Sequence, residues 1–366
     1  MLELWTADWV HLGDGPRPHA GLVTDGRTVL ATGEAGELAR RYPSARRVRK
    51  GRYLGLPLAN AHTHLDLGIA PTFSGPFPDF VRYVIDRAER RGRAEAVQAA
   101  RYAPQRLLGD IAAREEVVDW WLEEGPASGV VYWEVLGLVP PEREAEVLRA
   151  TRERIERWKR RERRDGPRVG LSPHAPYSLT PGLMRGVVAL ARELEVPLQI
   201  HAAESPGERA YFLRREGELA AFFRARGWPL DLHPTGLSPI AYLAELGVLD
   251  ARPTLVHGVQ VDEADVRLLA EHGVVVVSCP RSNVGLEAGL APYHLYADAG
   301  VPLALGTDSR ASAPSLDVRE ELDFLAARGL DYPRLLDWAV QGGRRALGLA
   351  PARIETGSEV EQVEFW

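Results

Sequence analysis

Leu58-Ala59-Asn60-Ala61-His62-Thr63-His64-Leu65-Asp66 closes an apolar run that begins at Tyr53. The run reads as a buried strand over 53–60 and delivers two histidines spaced i, i+2. In extended backbone, side chains at that spacing point to one face. Two imidazoles therefore leave the end of one strand side by side, as a metal site requires. Alone, a His-x-His pair is a weak signal, and chance is its plain alternative. Its weight depends on whether the rest of the chain supplies further ligands.

Downstream, apolar runs alternate with stretches of helical periodicity. Strands are expected at 53–60, 105–111, 129–136, 168–173, 196–202, 253–258, 273–279 and 301–308, with helices between most of them, including 141–164, 181–195 and 262–271. Strands separated by helices imply parallel pairing. Eight such units imply an α/β fold of the (β/α)8 TIM-barrel type over residues 53–352. The longest inserts, roughly 66–100 and 203–250, follow the first and fifth strands, on the rim where barrel active sites sit.

Upstream, residues 1–52 read as short strands and turns. Asp25-Gly26 between two apolar runs is a hairpin signal. The tail, 353–366, ends in an alternating pattern, Val360-Glu361-Gln362-Val363-Glu364-Phe365-Trp366. A small β-sandwich domain joining 1–52 with 353–366 is the expectation.

The strand ends carry the polar residues. His174 follows the fourth strand, His201 ends the fifth with Glu204 three residues on, His257 ends the sixth, and Asp308 ends the eighth. In a parallel barrel these ends converge on one rim. Five of the ten histidines lie at strand C-termini, which packing alone does not readily produce. His11, His19, His233, His272 and His294 fall in loops or helices, with His233 and His294 the two that could still line the mouth. Three neutral imidazoles and a carboxylate suit one divalent metal ion, zinc first and iron(II) second. A two-metal barrel of this kind commonly bridges its ions with a carboxylated lysine near the fourth strand. The chain has only Lys50 and Lys159, and Lys159 sits in a charged helix, so one ion is expected.

Composition narrows the alternatives. The 366 residues carry a net charge of −6, which argues against nucleic-acid binding. The arginine-rich stretch 152–164 is interleaved with glutamate at helical spacing and reads as a solvated face. Cys279 is the only cysteine. Neither a disulfide framework nor the Pro-Cys-x-x-Cys zinc site of the compact cytidine-deaminase design can therefore form. No signal peptide or apolar run long enough to span a bilayer is read, so a cytoplasmic protein without membrane association is expected. A homodimer stays open. No Gly-x-Gly-x-x-Gly opens a helix after a strand, which disfavours a dinucleotide-binding fold.

Taken together, His-x-His after the first strand, His-Ala-Ala-Glu after the fifth, His-Gly after the sixth and Gly-Thr-Asp-Ser after the eighth resemble the amidohydrolase superfamily. The branch in question holds the S-adenosylhomocysteine, guanine and cytosine deaminases and the chlorohydrolases. The resemblance covers essentially the whole chain. It implies that His62, His64, His201 and Asp308 hold the metal and that the metal lowers the pKa of a bound water. It implies that Asp308 also takes the water's proton. Glu204 would shuttle protons to the ring nitrogen and the leaving amine. His257 would orient the nucleophile and stabilise the tetrahedral species.

Substrate contacts are expected at His174, in Pro-His-Ala-Pro-Tyr-Ser; at Glu134, in Trp-Glu-Val-Leu-Gly after the third strand; and at Arg281, in Cys-Pro-Arg-Ser-Asn after the seventh. Glu134 would read ribose hydroxyls or a base edge. An arginine at the rim suggests a substrate carboxylate bound bidentately; a structural turn is its plain alternative. Arg281 and the Glu-Val-Leu-Gly stretch together resemble the aminodeoxyfutalosine deaminases of menaquinone biosynthesis, whose substrate joins an adenine base to a benzoate. The expected partner is thus a small purine nucleoside. S-adenosylhomocysteine, methylthioadenosine or guanine deamination, and chloride or other C–N hydrolysis, share the same ligands. A non-enzymatic metal-binding barrel would need neither Glu204 nor His257.

Overall fold

The computed structural model describes residues 1–125 and 127–366. Eight parallel strands form its centre: β1 (Ala59–Thr63), β2 (Leu107–Ala112), β3 (Ser128–Val135), β4 (Arg168–Pro173), β5 (Gln199–Ala202), β6 (Thr254–His257), β7 (Val275–Ser278) and β8 (Leu303–Leu305). They pair in sequence order as two four-stranded sheets, β1 to β4 and β5 to β8. Single parallel bridges span both seams, Leu171 to Leu198 and Thr63 to Asp308. Val130-Val131-Tyr132 and Val275-Val276-Val277 are buried continuously rather than in alternation, as strands covered on both faces must be.

The intervening helices start where local chemistry predicts. Thr180 caps Pro181–Glu193 by accepting from the Leu183 N–H, with Pro181 at the first helical position. Asp262 and Asp265 form a reciprocal capping box on Glu263–Glu271. The long charged helix stops at Lys159 rather than 164.

The expected strand over 53–60 is two strands. Tyr53–Gly55 belongs to a different sheet, and β1 starts only at Ala59, because Pro57 lacks the N–H that a continuous ladder requires. Tyr53–Gly55 lies parallel to Trp9–His11 and antiparallel to Glu364–Phe365, and Tyr53 stacks on Trp366 at 4.2 Å. The two ends of the chain therefore meet in one sheet, although the tail contributes only two strand residues. A second sheet is ordered Val29–Glu34, Ala20–Thr24, Glu3–Thr6, Arg46–Arg49. Its first pair is the hairpin around Asp25-Gly26. Among the described residues no helix is long and apolar enough to cross a membrane.

Both long inserts fold as helices. Phe77–Ile85 and Arg93–Ala100 follow β1, and Pro206–Arg214, Gly217–Arg226 and Pro239–Glu245 follow β5.

Candidate active site

The register between β1 and β2 shifts between Asn60 and Thr63. Such an irregularity re-aims side chains at a strand end. It lies where His62 and His64 emerge, with ring centroids 4.9 Å apart. Across the sheets, Gly306 lies so close that a Cβ there would sit 2.8 Å from the His62 Cβ; only glycine lets β8 approach this histidine. Ligand nitrogens of His62, His64 and His201 lie within 4.8 Å of one another. Asp308 Oδ1 is 3.7 Å from His62 Nε2 and 3.6 Å from His64 Nε2.

Most of these groups are fixed from behind; the exception is His64, whose buried Nδ1 has no hydrogen-bond partner. His62 Nδ1–H donates to Gln199 Oε1 at 2.6 Å, and Gln199 Nε2 donates to the Ala61 carbonyl at 3.0 Å. His201 Nδ1–H donates to the His174 carbonyl at 2.8 Å. Both contacts leave Nε2 as the lone-pair nitrogen turned inward. Asp308 Oδ2 accepts from Ser282 Oγ at 2.7 Å and Ser312 Oγ at 2.8 Å, so Oδ1 is the oxygen left facing the histidines. Asp110, buried behind β1, accepts from Thr63 Oγ1, the Leu65 N–H and Trp121 Nε1 at 2.8–2.9 Å and pins the turn that carries His64. Sequence reasoning missed Gln199, Ser282, Ser312 and Asp110. A usable signal existed for Gln199, two residues before His201 on the same strand face.

The site's ionisation suits a cation. Burial, then the neighbouring His62, pushes His64 well below the usual histidine range, and the same two causes act on His201. Burial lowers His174 as well. Burial alone would raise the Asp308 carboxyl. The contact with His62 and the charges of His64, His62 and His257 outweigh it and hold Asp308 well below the carboxylate range. The buried His62 Nε2 has no hydrogen-bond partner, and His64 Nε2 and His201 Nε2 face each other at 3.3 Å. Converging lone pairs beside a carboxylate are the donor set of a divalent ion. Lys159 Nζ contacts the Leu194 carbonyl, away from these ligands.

Glu204 and His257 complete the cluster. His257 Nδ1–H donates to Asn283 Oδ1 at 2.9 Å, and its Nε2 lies 3.6 Å from Glu204 Oε1. Burial holds His257 at about 4, so its Nε2 is a neutral acceptor. Burial, then the charges of Asp308 and Glu208, pushes Glu204 well above the usual carboxylate range. Ala203, His257 and Asp308 all have positive φ, 52°, 76° and 60°. Non-glycine residues hold that conformation only where their surroundings enforce it, and functional sites are where such strain gathers.

These groups line one cavity of about 320 Å³. His174 and Glu134 are on its wall. His174 is fixed through Nδ1 to Ser178 Oγ at 2.8 Å. Glu134 is buried, and its Oε2 has no hydrogen-bond partner. Beside it stands Arg91, which sequence reasoning overlooked. The guanidinium pairs bidentately with buried Asp66, both contacts at 3.0 Å, and Nη1 lies 3.7 Å from Glu134 Oε2. The outer walls are apolar: Phe77, Phe80, Val81 and Val84 from one insert, Leu219, Phe222, Phe223 and Trp228 from the other.

Arg281 is not brought to this cavity. Its Nε donates to Glu321 Oε1 at 2.8 Å, its backbone N–H to Glu321 Oε2 at 3.0 Å and its Nη2 to the Ser315 carbonyl at 3.0 Å. Nη1 pairs with Glu320. Glu321 is fully buried and needs a cation, since an unpaired carboxylate inside a protein is costly. The arginine expected to grip a substrate carboxylate therefore anchors the helix Val318–Ala326 instead. His233 does not line the mouth either; it is buried between Tyr211 and the Leu179 carbonyl, both at 2.9 Å. His294 is exposed on the helix Tyr293–Ala299.

A model of the Amidohydrolase family matches residues 56–359. Aminodeoxyfutalosine deaminase of Deinococcus radiodurans is 40% identical over 360 residues, 94% of this chain and 86% of that protein. A 5-methylthioadenosine/S-adenosylhomocysteine deaminase of Syntrophobacter fumaroxidans is 32% identical over 371 residues, 92% of this chain and 77% of that protein. Among solved structures, Helicobacter pylori aminofutalosine deaminase in complex with methylthio-coformycin superposes with a TM-score of 0.76. The match covers 98% of this chain and 90% of that one at 23% identity, a likeness of fold.

Proposed function

The chain belongs to the amidohydrolase family and is a hydrolase of C–N bonds; on that premise we propose that it deaminates the adenine-type base of a nucleoside, 6-aminodeoxyfutalosine, and releases ammonia. The observation that carries this reading is the clustering of His62, His64, His201 and Asp308 with Glu204 and His257, all but the fully buried His62 on the wall of one cavity. The 40% identity to an aminodeoxyfutalosine deaminase supports the substrate. The apolar outer walls support it too, because they suit a ribose substituent larger and less polar than a hydroxyl. The central strands are one closed barrel, and the strands outside them form a small β domain.

His62, His64, His201 and Asp308 would hold one divalent ion, zinc before iron(II) on the donor set. Such an ion supplies the polarisation that brings water close to ionisation at neutral pH. The remaining chemistry falls to side chains. Asp308, kept ionised, accepts the proton released by the attacking water. His257 Nε2, a neutral acceptor held by Asn283, orients that water. Glu204, whose burial favours the protonated form, gives its proton to the ring nitrogen beside the attacked carbon, takes one back from the hydroxyl added there and passes it to the amine as the C–N bond breaks; the proton held by Asp308 then restores Glu204. Water and the amino group are exchanged for a ring carbonyl and ammonia. Glu134, braced beside Arg91, and His174 line the wall where sugar and base would lie.

A second reading, deamination of 5-methylthioadenosine or S-adenosylhomocysteine, is favoured by the 32% identical relative. Ammonia release by the zinc-loaded protein from 6-aminodeoxyfutalosine, S-adenosylhomocysteine, adenosine and guanine separates them. The first is expected to give the highest kcat/KM, by about tenfold or more. No ammonia from it would overturn the substrate, and none from any of the four would overturn the activity.

A further inference from the structure

The turn that carries Glu204 holds a second buried glutamate. Glu208 is 1% exposed. Its Oε1 accepts from the Ala203 N–H at 3.1 Å and its Oε2 from the Glu204 N–H at 2.8 Å. From the other side, the Ala203 carbonyl accepts from the Val259 and Gln260 N–H groups at 2.8 and 2.7 Å. Ala203 sits at φ 52°, a conformation that is strained for a residue with a side chain. The strained residue is therefore clamped through both its N–H and its carbonyl. It is the residue that redirects the chain from β5 so that the Glu204 side chain returns to the cavity wall.

The plain alternative is helix capping. Ser205-Pro206-Gly207-Glu208 has the spacing of a capping box, and Ser205 Oγ does accept from the Glu208 N–H at 3.1 Å. In that motif the glutamate accepts from the capping residue's own N–H. Glu208 also reaches the Ser205 N–H, but its hydrogen bonds of 3.1 Å or shorter go to the two residues before Ser205. Among the described residues, backbone N–H groups are the only partners that favour its charge, although a buried carboxylate is ordinarily paired with a cation. Capping alone does not require that cost.

We propose that Glu208 is a positioning residue for the reaction, fixing the Ala203–Glu204 backbone and hence the place of the Glu204 carboxyl relative to His257 and the leaving amine. This rests on Glu204 being the proton carrier, as read above. Small displacements of such a group are expensive: a shift of about 1 Å is worth about 100-fold in rate.

The test uses the full-length, metal-loaded protein. Glu208→Met removes both acceptors at similar volume, and Glu208→Gln keeps one. In Glu208→Met, kcat should fall by about 100-fold with KM within about twofold and metal content unchanged; Glu208→Gln should lie between it and the parent. Placed in a Glu204→Gln background, Glu208→Met should add little further loss, because residues acting as one unit are not additive. Loss of metal, or a full additional loss in that background, would assign Glu208 a structural role only and overturn the proposal. So would an unchanged kcat in Glu208→Met while Glu204→Gln is inactive. Full activity of Glu204→Gln would instead overturn the reading on which the proposal rests. Should Glu208→Met fail to fold, Glu208→Gln carries the same comparison.

Discussion

The floor and the roof of the cavity are built in opposite ways. The floor is polar, and its groups stand at or just beyond strand ends: His62 near the end of β1 and His64 just past it, His201 near the end of β5 and Glu204 just past it, His257 at the end of β6, Asp308 after β8. Most are held by a buried partner such as Gln199, Ser282, Ser312 or Asn283. The roof is apolar and comes from two helical inserts, through Phe80 and Val84 on one side and Phe222 and Phe223 on the other. Strands can hold reacting groups to fractions of an ångström, whereas insert helices can vary without disturbing them. Chemistry and substrate choice are thereby separated, and each can be perturbed alone.

The sharpest separation comes from the floor. Glu204→Gln should lower kcat by about 10³–10⁴-fold for every substrate while metal content stays at the parent level; steady-state ammonia release beside elemental analysis checks both. One step behind, Gln199→Met leaves His62 without its orienting acceptor and should weaken metal affinity by about 10–100-fold, measured by competition with a chelator. At the roof, Phe222→Ala should raise KM about tenfold for a nucleoside with an apolar 5′ substituent and leave adenosine unchanged. A loss of kcat on both substrates in that variant would mean that the two regions are not separate.

The smallest catalytic effect is expected at Arg281. Arg281→Met should leave the ratio of KM values for carboxylated and uncarboxylated nucleosides within about twofold. It should also cost about 3 kcal/mol of stability, because Glu321 would be left buried and unpaired. Kinetics together with denaturant unfolding test this. A selective rise in KM for the carboxylated substrate would return Arg281 to the cavity.

The floor was legible in the sequence because its signal is local. An apolar run ending in His, or in Gly-Thr-Asp, marks a strand end, and parallel topology brings such ends together. Arg281 looked the same by that criterion. Its role is decided by Glu321, forty positions away on another helix, and nothing beside Arg281 announces that partner. Arg91 was missed for the converse reason. It lies in an insert, and only the fold brings it to Asp66, which directly follows the His-Thr-His-Leu stretch. The break at Pro57 was readable in principle, yet the unbroken run of apolar residues around it suggested one strand where two sheets share the segment. The roof was illegible because insert helices carry no register relative to the strands.

The most direct measurement starts from metal-stripped protein, titrated with zinc while ammonia release from 6-aminodeoxyfutalosine is followed. Activity should be absent at the start, rise in proportion to added zinc and level off at one equivalent per chain. Full activity without metal, a plateau only at two equivalents, or no ammonia at any loading would contradict a single-ion deaminase.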